Sequence, residues 1–192
     1  MKLYHGTRIT DAKNIAKSGI DISVGRISTD FGQGFYTTDN LHYAAITAKK
    51  RARYENTQPV VIEFDYNIIE KLSMLSFEKE SISWLQFIIN NRNGIDYIKS
   101  IGLDTNFHNI DKKYDVVNGP IADHDIVGFT KMILAEKRKI NYNDVKKIAY
   151  KYRTHQMSFH TEKALKSLDF VRIINIGRWL TWEYLKKASS SI

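Results

Sequence analysis

Cysteine is absent from this chain of 192 residues, so disulfide bonds and thiolate chemistry are excluded. Long apolar runs are also missing. None approaches the roughly 18 residues that a membrane span requires, and the N-terminus lacks the apolar core of a signal peptide. We therefore expect a cytoplasmic protein that does not associate with a membrane; a toxin exported by a signal-independent route would have the same sequence features.

Acidic residues are the minority among the charged ones: 21 Asp and Glu stand against 29 Lys and Arg, which gives a net charge of +8. Such a surface attracts polyanions or an acidic partner. A composition rich in Lys, Asn and Ile also results from AT-rich coding, and the chain has no long basic run and no recognisable nucleic-acid module. Charge alone therefore does not identify a nucleic-acid-binding protein.

The length and the composition, 43% hydrophobic and 26% charged residues, are typical of one soluble globular domain over residues 1–192. Residue patterns predict strands at 2–5 (ended by Gly6), 35–38, 59–65, 114–117 (halted by residues 118–120), 156–161 and 170–176. They predict helices from Thr10 or Asp11 to Gly19, from Asp39 or Asn40 to about Arg53, and at 67–72, 79–91, 123–139, 142–152 and 162–168. The irregular alternation indicates an α+β fold.

Two stretches are less regular. Residues 90–94 should break the helix before them, and the mixed pattern over 95–113 indicates an insert or a flexible loop. The tail over 177–192 predicts an amphipathic helix that packs on the body of the protein or on a partner.

Residues 30–38, which read DFGQGFYTT, form the most unusual pattern. Two closely spaced glycines favour a tight turn, and the aromatic and β-branched residues that follow favour a strand. A flat ligand can approach such a turn, and Tyr36 can present its ring to it; the alternative is a surface hairpin with Tyr36 in the core. Because Gly32 and Gly34 precede a strand and a third glycine is missing, a dinucleotide-binding βαβ motif is excluded.

His5 is the second candidate, at the end of the first strand and followed by Gly6 and Thr7. Its imidazole can bond a ribose hydroxyl while the bare backbone of Gly6 faces an amide; the alternative is a structural histidine. The histidines at 5, 42, 108, 124, 155 and 160 contain no close ligand pair, which argues against zinc. A Ser/His/Asp triad stays open, although no G-x-S-x-G turn supports it.

Four motifs, at residues 4–7, 30–36, 114–123 and 156–161, together resemble the ADP-ribosyltransferase superfamily. The similarity is to its diphtheria-toxin and poly(ADP-ribose) polymerase branch, which has a His–Tyr–Glu signature. The ordered set is most similar to a bacterial family of uncharacterised domains that is assigned to this superfamily and often encoded in toxin–antitoxin-like pairs. The resemblance spans about residues 3–170 and implies a split β-sheet core with surrounding helices.

The resemblance also implies roles. His5 would hold the nicotinamide-side ribose of NAD, Gly6 would bond the carboxamide through its backbone, and Tyr36 would stack on the nicotinamide ring. Gly32 and Gly34 would shape the turn. The cofactor-binding residues would include Thr7 and Ser158, and no metal is implied.

Gln156 departs from the superfamily, which commonly has Glu at the start of this late strand. Gln can still bond a ribose hydroxyl, but it cannot stabilise a cation by charge or act as a base. Glu162 is an alternative carboxylate, although its place at the start of a helix suits a first-turn acid. By the two-residue period of a strand, Ser158 and His160 share the face of Gln156. His160 would therefore line the same cleft, and Ser158 would line it or belong to the core.

Asp115, Asn118 and Asp123 lie on both sides of the Gly-Pro turn, where they would form a polar wall beside the NAD site or cap the turn and the next helix. The resemblance implies an NAD-dependent mono-ADP-ribosyltransferase, a toxin-like effector whose target is an intracellular protein or nucleic acid, with an antitoxin protein as a further partner. The alternative is a non-catalytic module that binds NAD or a nucleotide, or a pseudoenzyme that acts through a protein partner.

Overall fold

The computed structural model describes residues 1–68, 71–102, 104, 106–122, 125–149 and 154–176. Its strands are β1 (Lys2–Arg8), β2 (Phe35–Thr37), β3 (Pro59–Tyr66), β4 (Met74–Ser76), β5 (Val116–Pro120), β6 (His155–Phe159) and β7 (Leu168–Asn175). Its α-helices are α1 (Ile9–Ser18), α2 (Leu41–Tyr54), α3 (Ile82–Ile89), α4 (Ile95–Ser100), α5 (Ile126–Glu136), α6 (Tyr142–Ile148) and α7 (Glu162–Leu165). A 3-10 turn at Ile22–Val24 and a π-helix at Asn90–Gly94 complete the described elements.

Two separate β-sheets and their helices make this an α+β protein, as the sequence predicts. One sheet has the strand order β1-β3-β7, and the other has the order β2-β6-β5-β4. The described residues fall into two compact units: the first contains 1–20, 37–68 and 167–176, and the second contains 21–36 and the described residues from 71 to 166. Within the described ranges, no helix is both long and apolar enough to cross a membrane.

In the first unit, helix α2 lies very close to strand β1. Gly6 stands in the middle of β1, where it pairs with Val61 of β3. A Cβ atom added at Gly6 would lie 1.9 Å from the carbonyl oxygen of Ala44. The buried residues of α2 are all alanines, at positions 44, 45, 48 and 52. Small residues on both elements therefore allow the two backbones to approach each other.

The second unit is built around an aromatic core beneath its four-stranded sheet. Phe31, Phe77 and Phe87 lie with ring centroids 5.4–6.3 Å apart, and all three are buried. Trp84 is fully buried, and its indole N–H donates to the carbonyl of Pro120 at 3.0 Å. Gly119 of β5 lies against the rings of Phe77 and Phe31. This packing fixes the turn that contains Phe31 relative to the sheet.

Several predicted boundaries are wrong for identifiable reasons. Gly6 does not end the first strand, because its missing side chain admits α2 and leaves the strand pairing intact. No helix occurs over 71 and 72; strand β4 follows instead and pairs in parallel with β5. Residues 118–120 do not halt β5, since Asn118 pairs with both Ser76 and Met157 inside the sheet.

The helix at α3 does not break at residues 90–94 but continues as a π-helix and then as α4. Polar residues at 90, 91 and 93 and Gly94 suggest a loop, but Asn90 and Asn91 are buried and make side-chain hydrogen bonds to backbone groups. The insert expected over 95–113 therefore begins with a helix. The predicted tail helix over 177–192, the end of the 142–152 helix and Asp123 lie outside the described residues.

The close contact at Gly6 yields a stability prediction. We expect Gly6→Ala to lower the free energy of unfolding by about 3 kcal/mol or more, because the added methyl group must displace the α2 backbone. Urea unfolding followed by circular dichroism measures this change.

Gly128→Ala is the matched control. Gly128 lies in α5 with nothing within 4 Å of an added Cβ, so the change should raise stability by up to about 1 kcal/mol through helix propensity. Equal stabilities of the two variants would contradict the predicted contact.

Candidate functional site

The Tyr36 hydroxyl organises the turn over residues 29–36 in the second unit. It accepts a hydrogen bond from the backbone N–H of Phe31 at 2.9 Å and donates to the carbonyl of Gly32 at 2.7 Å. The Thr29 hydroxyl lies 2.9 Å away and also bonds the Gly32 carbonyl. Burial raises the pKa of the Tyr36 phenol, so it keeps its proton and its donor role.

The ring of Tyr36 is half-buried between two other rings. Phe31 stacks on it with centroids 6.4 Å apart, and the His160 ring meets it edge-on at the same centroid distance. Because the hydroxyl is bonded within the turn, any contact with a ligand would be made by the ring. The predicted stacking role thus depends on the ring and not on the phenol oxygen.

Gln156 of β6 is joined to the turn through Asp30. Its Nε2 donates to Asp30 Oδ2 at 3.0 Å. On the other side, Arg92 Nε and Nη2 both lie 2.7 Å from Asp30 Oδ1. The Asp30 side chain is only 10% exposed, so the guanidinium compensates a carboxylate that would otherwise be costly to bury.

The π-helix at Asn90–Gly94 positions Arg92. Asn91 is buried, and its Nδ2 donates to the carbonyls of Phe87 and Asp30, at 2.8 and 3.3 Å. Its Oδ1 accepts from the N–H of Asn109 at 2.8 Å. The amide therefore adds a second donor to the Phe87 carbonyl, which also accepts from the Asn90 N–H, and it ties the π-helix to the Asp30 turn. π-Bulges of this kind often occur at functional sites.

His160 and Ser158 connect β6 to the same turn. His160 Nδ1 lies 2.9 Å from the carbonyl of Gln33, and its Nε2 lies 2.8 Å from the Ser158 hydroxyl. Burial lowers the pKa of His160 to about 4, so the ring is neutral near pH 7. A carbonyl only accepts, so Nδ1 carries the proton of the neutral ring. The Ser158 hydroxyl also lies 3.1 Å from the Val117 carbonyl, to which it donates, so its one proton is shared between that carbonyl and Nε2. Ser158 is fully buried, which suits a structural partner better than an exposed nucleophile.

The two glycines of the turn are each explained by a different steric requirement. Gly32 has a φ of +90°, which L-residues rarely adopt. A Cβ at Gly34 would lie 2.7 Å from both His160 Nδ1 and the Phe159 carbonyl oxygen. The GQG pattern is therefore explained by backbone geometry and by the close approach of β6.

The chain was compared with known proteins. A family model described as "Protein of unknown function (DUF3990)" matches residues 1–170. The chain belongs to this family. Comparisons with curated proteins and with solved structures gave no match. The matched range includes every site residue predicted from the sequence, so the motifs described above lie within the DUF3990 domain.

The remaining predicted site residues lie in the first unit. His5 is 7% exposed, and its Nε2 lies 3.2 Å from Arg51 Nη1. Because a guanidinium only donates, Nε2 accepts in this contact. Thr7, which is also buried, donates its hydroxyl to Asp11 Oδ2 at 3.0 Å. Gly6 lies between them against α2, as described above. The predicted set is thus divided between the units, with Gly32, Gly34, Tyr36, Gln156 and Ser158 in the second.

Asp115, one of the polar residues considered beside the Gly-Pro turn, bonds residues outside that turn. It accepts from the Ser73 N–H at 2.9 Å and from the Thr161 hydroxyl at 2.6 Å. Glu162 stands in the first turn of α7, as its alternative interpretation expected. Among the described residues, no group of three or more acidic or histidine side chains is suited to a metal ion.

Sequence reasoning assigned no site role to Asp30, Arg92 or Arg51. Asp30 was part of the motif, but the pattern gave no partner 126 residues away. Arg92 lies in a segment that was interpreted as a break. Arg51 lies in the predicted second helix, where the spacing from Ala44 to Ala48 to Arg51 follows one helix face, and Ala44 packs on Gly6 of β1. That spacing is a signal by which its contact with His5 could have been found.

The buried His160 predicts a pH dependence of stability. Its folded pKa is lowered from the ordinary value near 6.5 to about 4. The unfolded chain therefore binds a proton before the folded one does, and stability is lost as the pH falls through this range. We expect His160→Gln to remove about 1 kcal/mol per pH unit of this dependence between pH 6 and pH 5.

Urea unfolding at pH 7.5, 6 and 5 tests this expectation. A His160→Gln variant with an unchanged slope would show that His160 is not the buried neutral group.

The hydroxyl at the centre of the turn gives a second prediction. We expect Tyr36→Phe to lower the free energy of unfolding by about 1–3 kcal/mol, because the Phe31 N–H loses its acceptor in a partly buried turn. Tyr54→Phe, at a side chain 91% exposed, should change stability by less than about 0.5 kcal/mol. Thermal denaturation of both variants provides the comparison, and equal losses would contradict the assigned role.

Proposed function

We propose that the chain is an NAD-dependent mono-ADP-ribosyltransferase, a toxin-like effector that modifies an intracellular macromolecule. The observation that carries the proposal is the direct bonding of two motifs remote in sequence. Gln156 bonds Asp30, and His160 bonds the Gln33 carbonyl. Residues 30–36 and 156–161 are two of the four motifs on which the resemblance to ADP-ribosyltransferases depends, so their association supports that interpretation.

In this proposal the roles follow the resemblance. His5 holds the nicotinamide-side ribose, Gly6 bonds the carboxamide, and Tyr36 stacks on the nicotinamide ring. Gln156 accepts a hydrogen bond from a ribose hydroxyl. The half-buried Tyr36 ring is compatible with stacking, since the hydroxyl is held away in the turn. Thr7 and Ser158 then support their neighbours through their own buried hydrogen bonds.

The reaction itself requires little acid–base chemistry from the protein. The bond between C1′ of the ribose and N1 of nicotinamide breaks, and neutral nicotinamide leaves with the bonding electron pair. An oxygen or nitrogen of the acceptor bonds C1′ and loses a proton. The protein accelerates this exchange by orienting the scissile bond and stabilising a cation-like transition state with oriented polar groups.

A second candidate is a non-catalytic module that binds NAD or a nucleotide, or a pseudoenzyme that acts through a protein partner. Gln156 is the observation that favours it, because an amide supplies no full negative charge. The nature of the target is a separate question. The net charge of +8 keeps nucleic acid open beside protein as the acceptor.

The test uses NAD that is radiolabelled in its adenylate phosphate, incubated with cell lysate and the purified chain. Label that is released by protease would indicate a protein acceptor, and label that is released by nuclease would indicate a nucleic acid. We expect Tyr36→Leu to transfer about tenfold less than Tyr36→Phe, because a stacking contact of about 1.4 kcal/mol is lost.

The two substitutions form a matched pair, since both remove the hydroxyl and only one removes the ring. Each is assayed at a temperature at which circular dichroism shows it to be folded. Equal transfer by the two would contradict the stacking role. Calorimetric binding of NAD by the wild type without any transfer or hydrolysis would favour the binding module.

A further inference from the structure

We propose that Asp30 is a positioning residue, which orients and polarises the Gln156 amide so that Oε1 becomes the presented acceptor. The pairing itself stands on the geometry of the second unit. The identity of the donor to Oε1, a ribose hydroxyl of NAD, rests on the function proposed above.

The orientation follows from donor and acceptor chemistry. An ionised carboxylate only accepts hydrogen bonds, so the amide group 3.0 Å from Asp30 Oδ2 is the NH₂ of Gln156. The opposite atom, Oε1, then points away from Asp30. Within the described part of the chain, no hydrogen-bond donor is assigned to Gln156 Oε1. Gln156 is half-buried, so this oxygen belongs to a side chain that solvent or a ligand can reach.

The electrostatic effect follows from burial. A carboxylate that accepts a hydrogen bond from the NH₂ group of an amide polarises that amide. The negative partial charge on the amide oxygen therefore increases. Such charge-assisted bonds are stronger in a medium of low dielectric constant. Asp30 thus gives Gln156 part of the negative character that a glutamate would have at this position. Arg92 pairs with the Asp30 carboxylate and holds it in place through its two contacts with Oδ1.

This pairing changes the expected result of the most obvious substitution. Gln156→Glu places two carboxyl groups about 3 Å apart, where they cannot both ionise. The single substitution is therefore expected to strain the site rather than improve it. Exchange of both residues, Asp30→Asn with Gln156→Glu, keeps one donor and one acceptor in reversed positions and places the full charge at 156.

The first test measures stability for the wild type, Asp30→Asn, Gln156→Glu and the double variant. In Gln156→Glu one carboxyl has a raised pKa in the folded state, so the folded chain binds more protons than the unfolded one. Stability should then fall as the pH rises from 5 to 7.5, relative to the wild type. The double variant should not show this fall. His160 is present in all four proteins and contributes the same pH dependence of stability to each. The charged group that faces Asp30 is Arg92.

The second test measures NAD hydrolysis and transfer by the same four proteins. We expect Asp30→Asn to lower kcat at least tenfold with a smaller change in KM, because the free amide can turn its NH₂ towards the substrate. The double variant should recover activity to the wild-type level or above. A residue with only a structural role would not be rescued by an added carboxylate.

Asp115→Asn is the control, because Asp115 also accepts two hydrogen bonds in the same unit without contacting Gln156. Asp115→Asn should lower the free energy of unfolding without producing the pH dependence expected of Gln156→Glu. Its combination with Gln156→Glu should not restore the stability or the activity that it loses.

The proposal is overturned if Gln156→Glu shows no added pH dependence, or if folded Asp30→Asn retains full kcat in an active protein. If the four proteins show the expected pH dependence of stability but none of them acts on NAD, the pairing of Asp30 with Gln156 stands and the proposed transferase function fails.

Discussion

The carboxylate of Asp30 connects three segments that are far apart in the sequence. It accepts from Arg92 in the π-helix and from Gln156 at the beginning of the late strand, while its own backbone carbonyl accepts from Asn91. A buried charge requires such partners, since an unpaired carboxylate in this environment would be strongly destabilising. The turn, the helix and the strand are therefore constrained together, and the ring of Tyr36 is oriented by a turn that is held from both sides.

The glycines illustrate that ligand binding and close packing can produce the same sequence pattern. Gly6 and Gly34 were both associated with the approach of a ligand, yet in the structure a protein group occupies the space beside each. For Gly6 it is the backbone of α2, and for Gly34 it is the ring of His160. A ligand role for these positions is not required to explain why a side chain is missing there.

The sequence predicted the fold class and most elements because these depend on local patterns. Asn40 caps α2 by accepting from the Tyr43 N–H, Gly19 ends α1 with a φ of 83°, and Pro59 begins β3. The errors arose where tertiary contacts override local preference. Strand β4 is short, and its Met74 and Ser76 are exposed, so only its pairing with β5 identifies it. The polar run at 90–94 is helical because Asn90 and Asn91 find buried backbone partners.

The site residues named from the sequence remain predictions, and local patterns did not reveal their hydrogen-bond partners. Tyr36, Gln156 and the strand that contains Ser158 were identified, whereas the partners of each side chain required the structure. The π-helix adds a consequence for sequence variation. A π-turn contains one residue more than an α-turn, and each α-helical residue rotates the chain by about 100°. Loss of a single residue before position 92 would therefore turn the arginine away from Asp30 while the helix itself remained intact. The length of this segment, and not only its composition, is under structural constraint.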